Sequence, residues 1–127
     1  MADPIRVILA DDHPVVRSGI KGALEVEGDI KVVGEANDGL EAQQLCESLE
    51  PDVLLLDLNM PNSKATDTIA YIREHCPGTK IVMLTAHDED AYIRAVMRAG
   101  VSGYLLKEEA VDTVVKAVRA VKKGAAW

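Results

Sequence analysis

Residues 53–57 read VLLLD. Four apolar side chains follow one another without polar alternation, and an aspartate closes the run. A strand with one wet face alternates apolar and polar residues. An unbroken apolar run bounded by turn signals is covered on both faces, the habit of strands in parallel sheets. IRVILA at 5–10, IKVVGEA at 30–36, KIVMLT at 80–85 and GYLLK at 103–107 are the other strand candidates.

Helical patterns fill the intervals. Pro14 suits a first helical turn, and Val16, Ile20, Ala23 and Leu24 then recur at helical spacing until Gly28 and Asp29 break the pattern. Asp38 is placed to cap a second helix, whose buried stripe is Ala42, Leu45, Cys46 and Leu49 and which Pro51 ends. A third helix carries Ile69 and Ile72 and stops before Pro77. Asp88 or Asp90 would cap a fourth, which buries Ile93, Val96 and Met97 and ends at Gly100. A fifth places Val111, Val114, Val115, Val118 and Val121 on one face, and Gly124 closes it. Five strand–helix units with short connections and no linker predict one domain over 1–127. The fold class is α/β: a doubly wound, five-stranded parallel sheet, order 2-1-3-4-5, flanked by five helices (flavodoxin-like).

Composition narrows the function. The chain has 127 residues, 48% hydrophobic, enough for one substantial core. No apolar run approaches the roughly 20 residues of a membrane helix, and MADPIRVILADD is a poor signal peptide, so the expected compartment is the cytoplasm. A net charge of −7 makes these residues a poor surface for nucleic-acid phosphates. Cys46 and Cys76 stand in no metal-type spacing, and Cys46 falls on an apolar helix side where it reads as a small hydrophobe. The three histidines are scattered and indicate no zinc site.

The polar interruptions are more informative. Asp11 and Asp12 follow strand 1, Asp57 follows strand 3, Thr85 follows strand 4 and Lys107 follows strand 5. In a parallel sheet these carboxyl ends share one edge, and ligands bind there at the switch point between strands 1 and 3. Three carboxylates in one crevice repel each other, so some protonate or a cation binds. Hard oxygen ligands favour Mg²⁺, whereas calcium would call for a longer ligand-bearing loop. Lys107 and Thr85 fit poorly with a site that holds only a cation. A lysine and a hydroxyl suit an anion beside the metal, and a phosphoryl group is the obvious one. Asp57, between the metal ligands and the lysine, is then the best nucleophilic acceptor, with its neighbours neutralising charge on the transferring oxygens. Each residue alone has a plainer reading: the aspartate pair or Asp57 as a helix cap, Thr85 as a strand residue, Lys107 as a surface charge. Convergence from four strands on one edge outweighs those readings.

With these residues in place, the segments VILADDHPVVRSGI, DVLLLDLNMP, IVMLTAH and GYLLK resemble the receiver domain of bacterial two-component response regulators. The similarity covers essentially the whole chain and is strongest to the NarL or LuxR-type branch, whose output is a helix-turn-helix. The resemblance implies a CheY-like fold and phosphate transfer from the phosphohistidine of a sensor histidine kinase to Asp57. It implies Mg²⁺ held by Asp11, Asp12, Asp57 and the backbone carbonyl of Asn59, with Thr85 and Lys107 on the phosphoryl oxygens. Tyr104 matches the family's switch aromatic, which turns inward as Thr85 moves. Homodimerisation on phosphorylation and DNA binding through an output domain outside these residues are further implications; no membrane contact is expected. The resemblance further implies a signalling domain that catalyses its own phosphorylation and dephosphorylation and is not an enzyme.

The pattern departs from the family in two places. Ala65 takes a usual glycine position in the loop NSKATDTI, so the loop and the start of helix 3 would differ in shape. Glu108 follows Lys107 where many receivers have proline, which weighs against a cis peptide there. Three rivals remain. A flavin carrier would need a phosphate-cradling loop where DDHP stands. A magnesium-dependent small-molecule phosphatase would want a second acid two residues after Asp57, where Asn59 stands. An unphosphorylated scaffold would have no use for the full polar set. Lys116, Arg119, Lys122 and Lys123 cluster near the C-terminus, as dipole partners of the last helix or as a dimer face or linker start.

Overall fold

The computed structural model describes residues 3–60, 64–86 and 90–127, excepting the side chains of 90–93. Strands β1 (Ile5–Ala10), β2 (Ile30–Ala36), β3 (Val53–Asp57), β4 (Lys80–Thr85) and β5 (Gly103–Leu106) alternate with helices α1 (Pro14–Glu25), α2 (Gly39–Leu49), α3 (Ala65–His75), α4 (Asp90–Arg98) and α5 (Lys107–Lys122). All pairings are parallel, in the order β2-β1-β3-β4-β5.

Strand parity divides the core in two. Ile8, Ala10, Leu54, Leu56, Ile81 and Met83 face Ala42, Cys46, Ile69, Ile72 and Val96 of α2, α3 and α4. Val7, Leu9, Val53, Leu55, Val82, Leu84 and Leu105 face Ile20, Leu24, Val114, Val118 and Val121 of α1 and α5. Every residue of β3 is buried, as its unbroken apolar run requires. Each fully buried large aliphatic side chain stabilises the fold by roughly 1.5–3 kcal/mol.

Local chemistry sets the helix ends. Asp38 caps α2, its Oδ1 accepting from the Glu41 N–H at 2.8 Å. Glu41 Oε1 accepts in turn from the Asn37 N–H, one residue ahead of that cap. Gly100 and Gly124 adopt φ of 104° and 94°, left-handed values that end α4 and α5.

Three expectations need correction. Met97 is exposed, because α4 turns Val96 to the sheet and Met97 away. Val111 is exposed as well: Ala110, Val114, Ala117, Val118 and Val121 form the buried stripe of α5. The valine series spans a wider arc than the sheet covers. Lys107 is the first residue of α5 and not the last of β5. Asp88 and the side chains of Asp90 and Ile93 lie outside the described residues.

Candidate functional site

Register brings the polar residues level. Ala10 pairs with Leu56, so Asp11 and Asp57 leave neighbouring strands side by side. Asp57 pairs with Leu84, and Thr85 with Leu106, the residue before Lys107. Parity then aims Asp11 and Asp57 as it aims Leu9 and Leu55, toward the face of α1 and α5. The N-termini of those two helices stand at this edge.

The side chains meet there. Asp11 is fully buried and Asp57 is 1% exposed. Lys107 Nζ donates to Asp57 Oδ2 at 2.8 Å and lies 3.6 Å from Asp11 Oδ2. The Asn59 N–H donates to Asp57 Oδ1 at 3.0 Å, which spans the turn after β3. Asp12 is half-buried beside them. Asp11 Oδ2 and Asp12 Oδ1 are buried and accept no hydrogen bond. Burial pushes the Asp57 carboxyl above its ordinary range, and the Asp11 charge adds to this. The Lys107 hydrogen bond and the Asn59 N–H pull it back without cancelling the rise.

Two residues missed in the sequence complete the pocket. His13 Nδ1 lies 3.1 Å from both Asp11 Oδ1 and Asp12 Oδ1, 3.8 Å from Asp57 Oδ2 and 3.3 Å from Lys107 Nζ. One ligand atom each from Asp11, Asp12, His13 and Asp57 falls within a 4.8 Å cluster. Its signal was adjacency to the aspartate pair, whereas metal-type histidine spacing was the pattern sought. Arg17 positions the acids through the main chain: its Nη1 donates to the Asp11 carbonyl at 2.8 Å and to Asn37 Oδ1 at 2.7 Å. The Asp11 N–H donates to the Ala36 carbonyl, so both backbone groups of Asp11 are engaged.

The donor set fits a divalent cation. Buried carboxylate oxygens without donors are costly unless a cation satisfies them, and oxygen ligands with one lysine nearby suit a hard ion beside an anion. Thr85 is buried at the same edge. Tyr104 stays apart from the acids, packed on the layer of α3 and α4 and lining a hollow of about 250 Å³ with Leu106, Glu109, Thr113 and Trp127. A hollow of about 320 Å³ lies on the opposite rim, but its Thr79 Oγ1 and Asp52 are already engaged by the Pro51 carbonyl and by Arg6 and Lys122.

No cis peptide occurs among the described residues, so Lys107–Glu108 is trans. The loop at 61–63 lies outside the described residues, and α3 starts at the buried Ala65. Arg119 and Lys122 of the basic cluster bind Asp29 and Asp52. No helix of the described residues is long and apolar enough to cross a membrane.

The family model of the response regulator receiver domain matches residues 7–119. Transcriptional regulatory protein DegU of Brevibacillus brevis is 37% identical over 97% of this chain and 52% of its own length. The receiver domain of the NarL regulator of Mycobacterium tuberculosis superimposes with a TM-score of 0.92 at 38% identity, covering 97% of this chain and 99% of that one. The isolated receiver domain of RcsB from Salmonella enterica serovar Typhimurium, solved with the phosphomimetic BeF3−, gives 0.88 at 35%, covering 98% and 93%. The chain spans about half the length of the curated relatives it matches. Fold, register and sequence agree: the chain belongs to the response regulator receiver domain family and is a signalling domain of its NarL/LuxR-type branch.

Proposed function

We propose that Asp57 is the phosphoacceptor of a sensor histidine kinase. A carboxylate oxygen of Asp57 attacks phosphorus, the P–N bond to the kinase histidine breaks, and an acyl phosphate forms. The observation that carries this reading is the pairing of Asp57 with Lys107 beside buried acid oxygens that accept no hydrogen bond.

Asp11, Asp12, Asp57 and the Asn59 carbonyl would hold Mg²⁺, which when bound supplies charge neutralisation at the phosphoryl oxygens. Lys107 contributes positive charge to the same oxygens, and the Thr85 hydroxyl is a hydrogen-bond donor to them. Arg17 holds the Asp11 backbone in place. Tyr104 turns inward as Thr85 moves toward the phosphoryl group. We assign the signal to the cytoplasm, with residues 1–127 as the receiver of a longer regulator. A helix-turn-helix output domain outside this chain would bind DNA, and phosphorylation would favour a homodimer. Asn59 lacks the proton-shuttling acid of an aspartyl phosphatase, so the acyl phosphate outlives a catalytic turnover.

Incubation with phosphoramidate and Mg²⁺, followed by intact mass measurement, tests this. One added phosphoryl group is expected, absent without a divalent ion and absent in Asp57→Ala. An unchanged mass in folded protein would leave the scaffold reading, and steady hydrolysis of a generic phosphate ester would favour the phosphatase.

A further inference from the structure

We propose that His13 is a nitrogen ligand of the acidic pocket, giving it a preference for later first-row transition divalent ions such as Co²⁺ and Ni²⁺ over Mg²⁺. This rests on reading the pocket as a divalent-cation site, and goes beyond it in adding a ligand and a selectivity.

Spacing supplies the first observation. Cis ligands on an octahedral ion with bonds of about 2.1 Å stand about 3.0 Å apart. His13 Nδ1 stands 3.1 Å from Asp11 Oδ1 and 3.1 Å from Asp12 Oδ1. Asp57 Oδ2, at 3.8 Å, lies between a cis and a trans separation. The second observation is the unsatisfied acid. Asp11 is fully buried, yet its Oδ2 accepts no hydrogen bond, and neither does Asp12 Oδ1.

Core packing does not explain the ring's position. The His13 side chain is 56% exposed, and it makes no capping hydrogen bond at the start of α1 although His13 is the N-cap residue. What holds the imidazole in place is the acid cluster and Lys107. Imidazole binds transition ions well and Mg²⁺ poorly, whereas carboxylates accept both. Adding one nitrogen to an oxygen site therefore shifts its relative affinity, and the pocket becomes responsive to which divalent ion is abundant.

Calorimetric titration of the full chain with Co²⁺ and separately with Mg²⁺ tests the selectivity, comparing wild type with His13→Asn. Asparagine is a good N-cap, and a thermal melt verifies that the variant folds. His13→Asn is expected to weaken Co²⁺ binding at least about tenfold and Mg²⁺ binding less than about threefold. Pulsed EPR of the Mn²⁺-loaded wild type should show coupling to a directly bound nitrogen, absent in the variant. Equal losses for both ions, no nitrogen coupling, or tighter binding of both ions in the variant (a ring that merely plugs the site) would overturn the proposal. Failure of the wild type to bind any divalent ion would instead overturn the metal-site reading on which it rests.

Discussion

Replacing Lys107 with methionine keeps most of the stem and removes the charge. Lys107 Nζ lies 2.8 Å from Asp57 Oδ2 and 3.6 Å from Asp11 Oδ2. At an effective dielectric of about 20, those separations correspond to attractions of about 6 and about 5 kcal/mol. Removing the ammonium from water offsets several kcal/mol of this. The side chain is only 13% exposed, so solvent screening is weak. A net loss of about 2–4 kcal/mol follows for Lys107→Met, a large share of the roughly 5–15 kcal/mol that holds a domain together. Asp57→Asn acts in the opposite sense. The Asp57 carboxyl titrates above its ordinary range because burial disfavours its charge. For an acid raised in this way, ionisation opposes folding, increasingly as pH rises through its folded-state value. Asn removes that opposition at neutral pH. Urea unfolding of wild type, both single variants and the double variant, without divalent ions, gives the coupling directly. The double variant should lose less than the sum of the singles, by about 1 kcal/mol or more. Lys107→Met within about 0.5 kcal/mol of wild type, or singles that add within that margin, would refute the electrostatic reasoning.

Three other outcomes follow from the same structure. Arg119 holds the Asp29 carboxyl low; for Asp52 burial works the other way, but the Arg6 N–H and Lys122 outweigh it. Both contributions are complete above the ordinary carboxylate range and are lost as pH falls through the lowered values, so an Asp29→Asn/Asp52→Asn variant should show a flatter acid limb in urea midpoints; parallel limbs would contradict this. Burial pushes the Cys46 thiol up to about 12, so it should react with thiol reagents in mildly alkaline buffer only as fast as the chain unfolds, and rapid labelling of the native protein would be inconsistent with its place in the core. A Cβ on Gly103 would stand 2.8 Å from Trp127 Cβ and 2.9 Å from its carbonyl carbon, so Gly103→Val should displace the sole tryptophan and shift its emission to the red, whereas an unchanged spectrum would place Trp127 elsewhere.

Where the sequence was legible, one physical rule was at work. VLLLD is covered on both faces because its run has no polar alternation, and β3 is the central strand. Polar residues at strand ends share an edge because all five strands run the same way, so Asp11, Asp57, Thr85 and Lys107 were placed before any side-chain geometry was known. Asp38 was legible because an aspartate before a helical pattern has a local partner, here the Glu41 N–H. Val111 and Met97 were misplaced because hydrophobicity states only that a residue can be buried. Which valines of α5 are covered depends on how the helix is rotated over the sheet, a tertiary quantity. His13 and Arg17 were missed for a related reason. Their partners lie in the turn after β1, in β3, at the start of α5 and at the end of β2, and the one local sign, a histidine directly after the aspartate pair, matches no metal-type spacing.

The claim that unites the structure is that Asp57 becomes an acyl phosphate. Borohydride reduces an acyl phosphate on aspartate to homoserine, so treating the Mg²⁺- and phosphoramidate-exposed chain with borohydride and sequencing its peptides by mass spectrometry locates the modified carboxyl. Homoserine at position 57, and at no other aspartate, is the expected result. An intact Asp57 alongside a phosphoryl group mapped to another residue would contradict it.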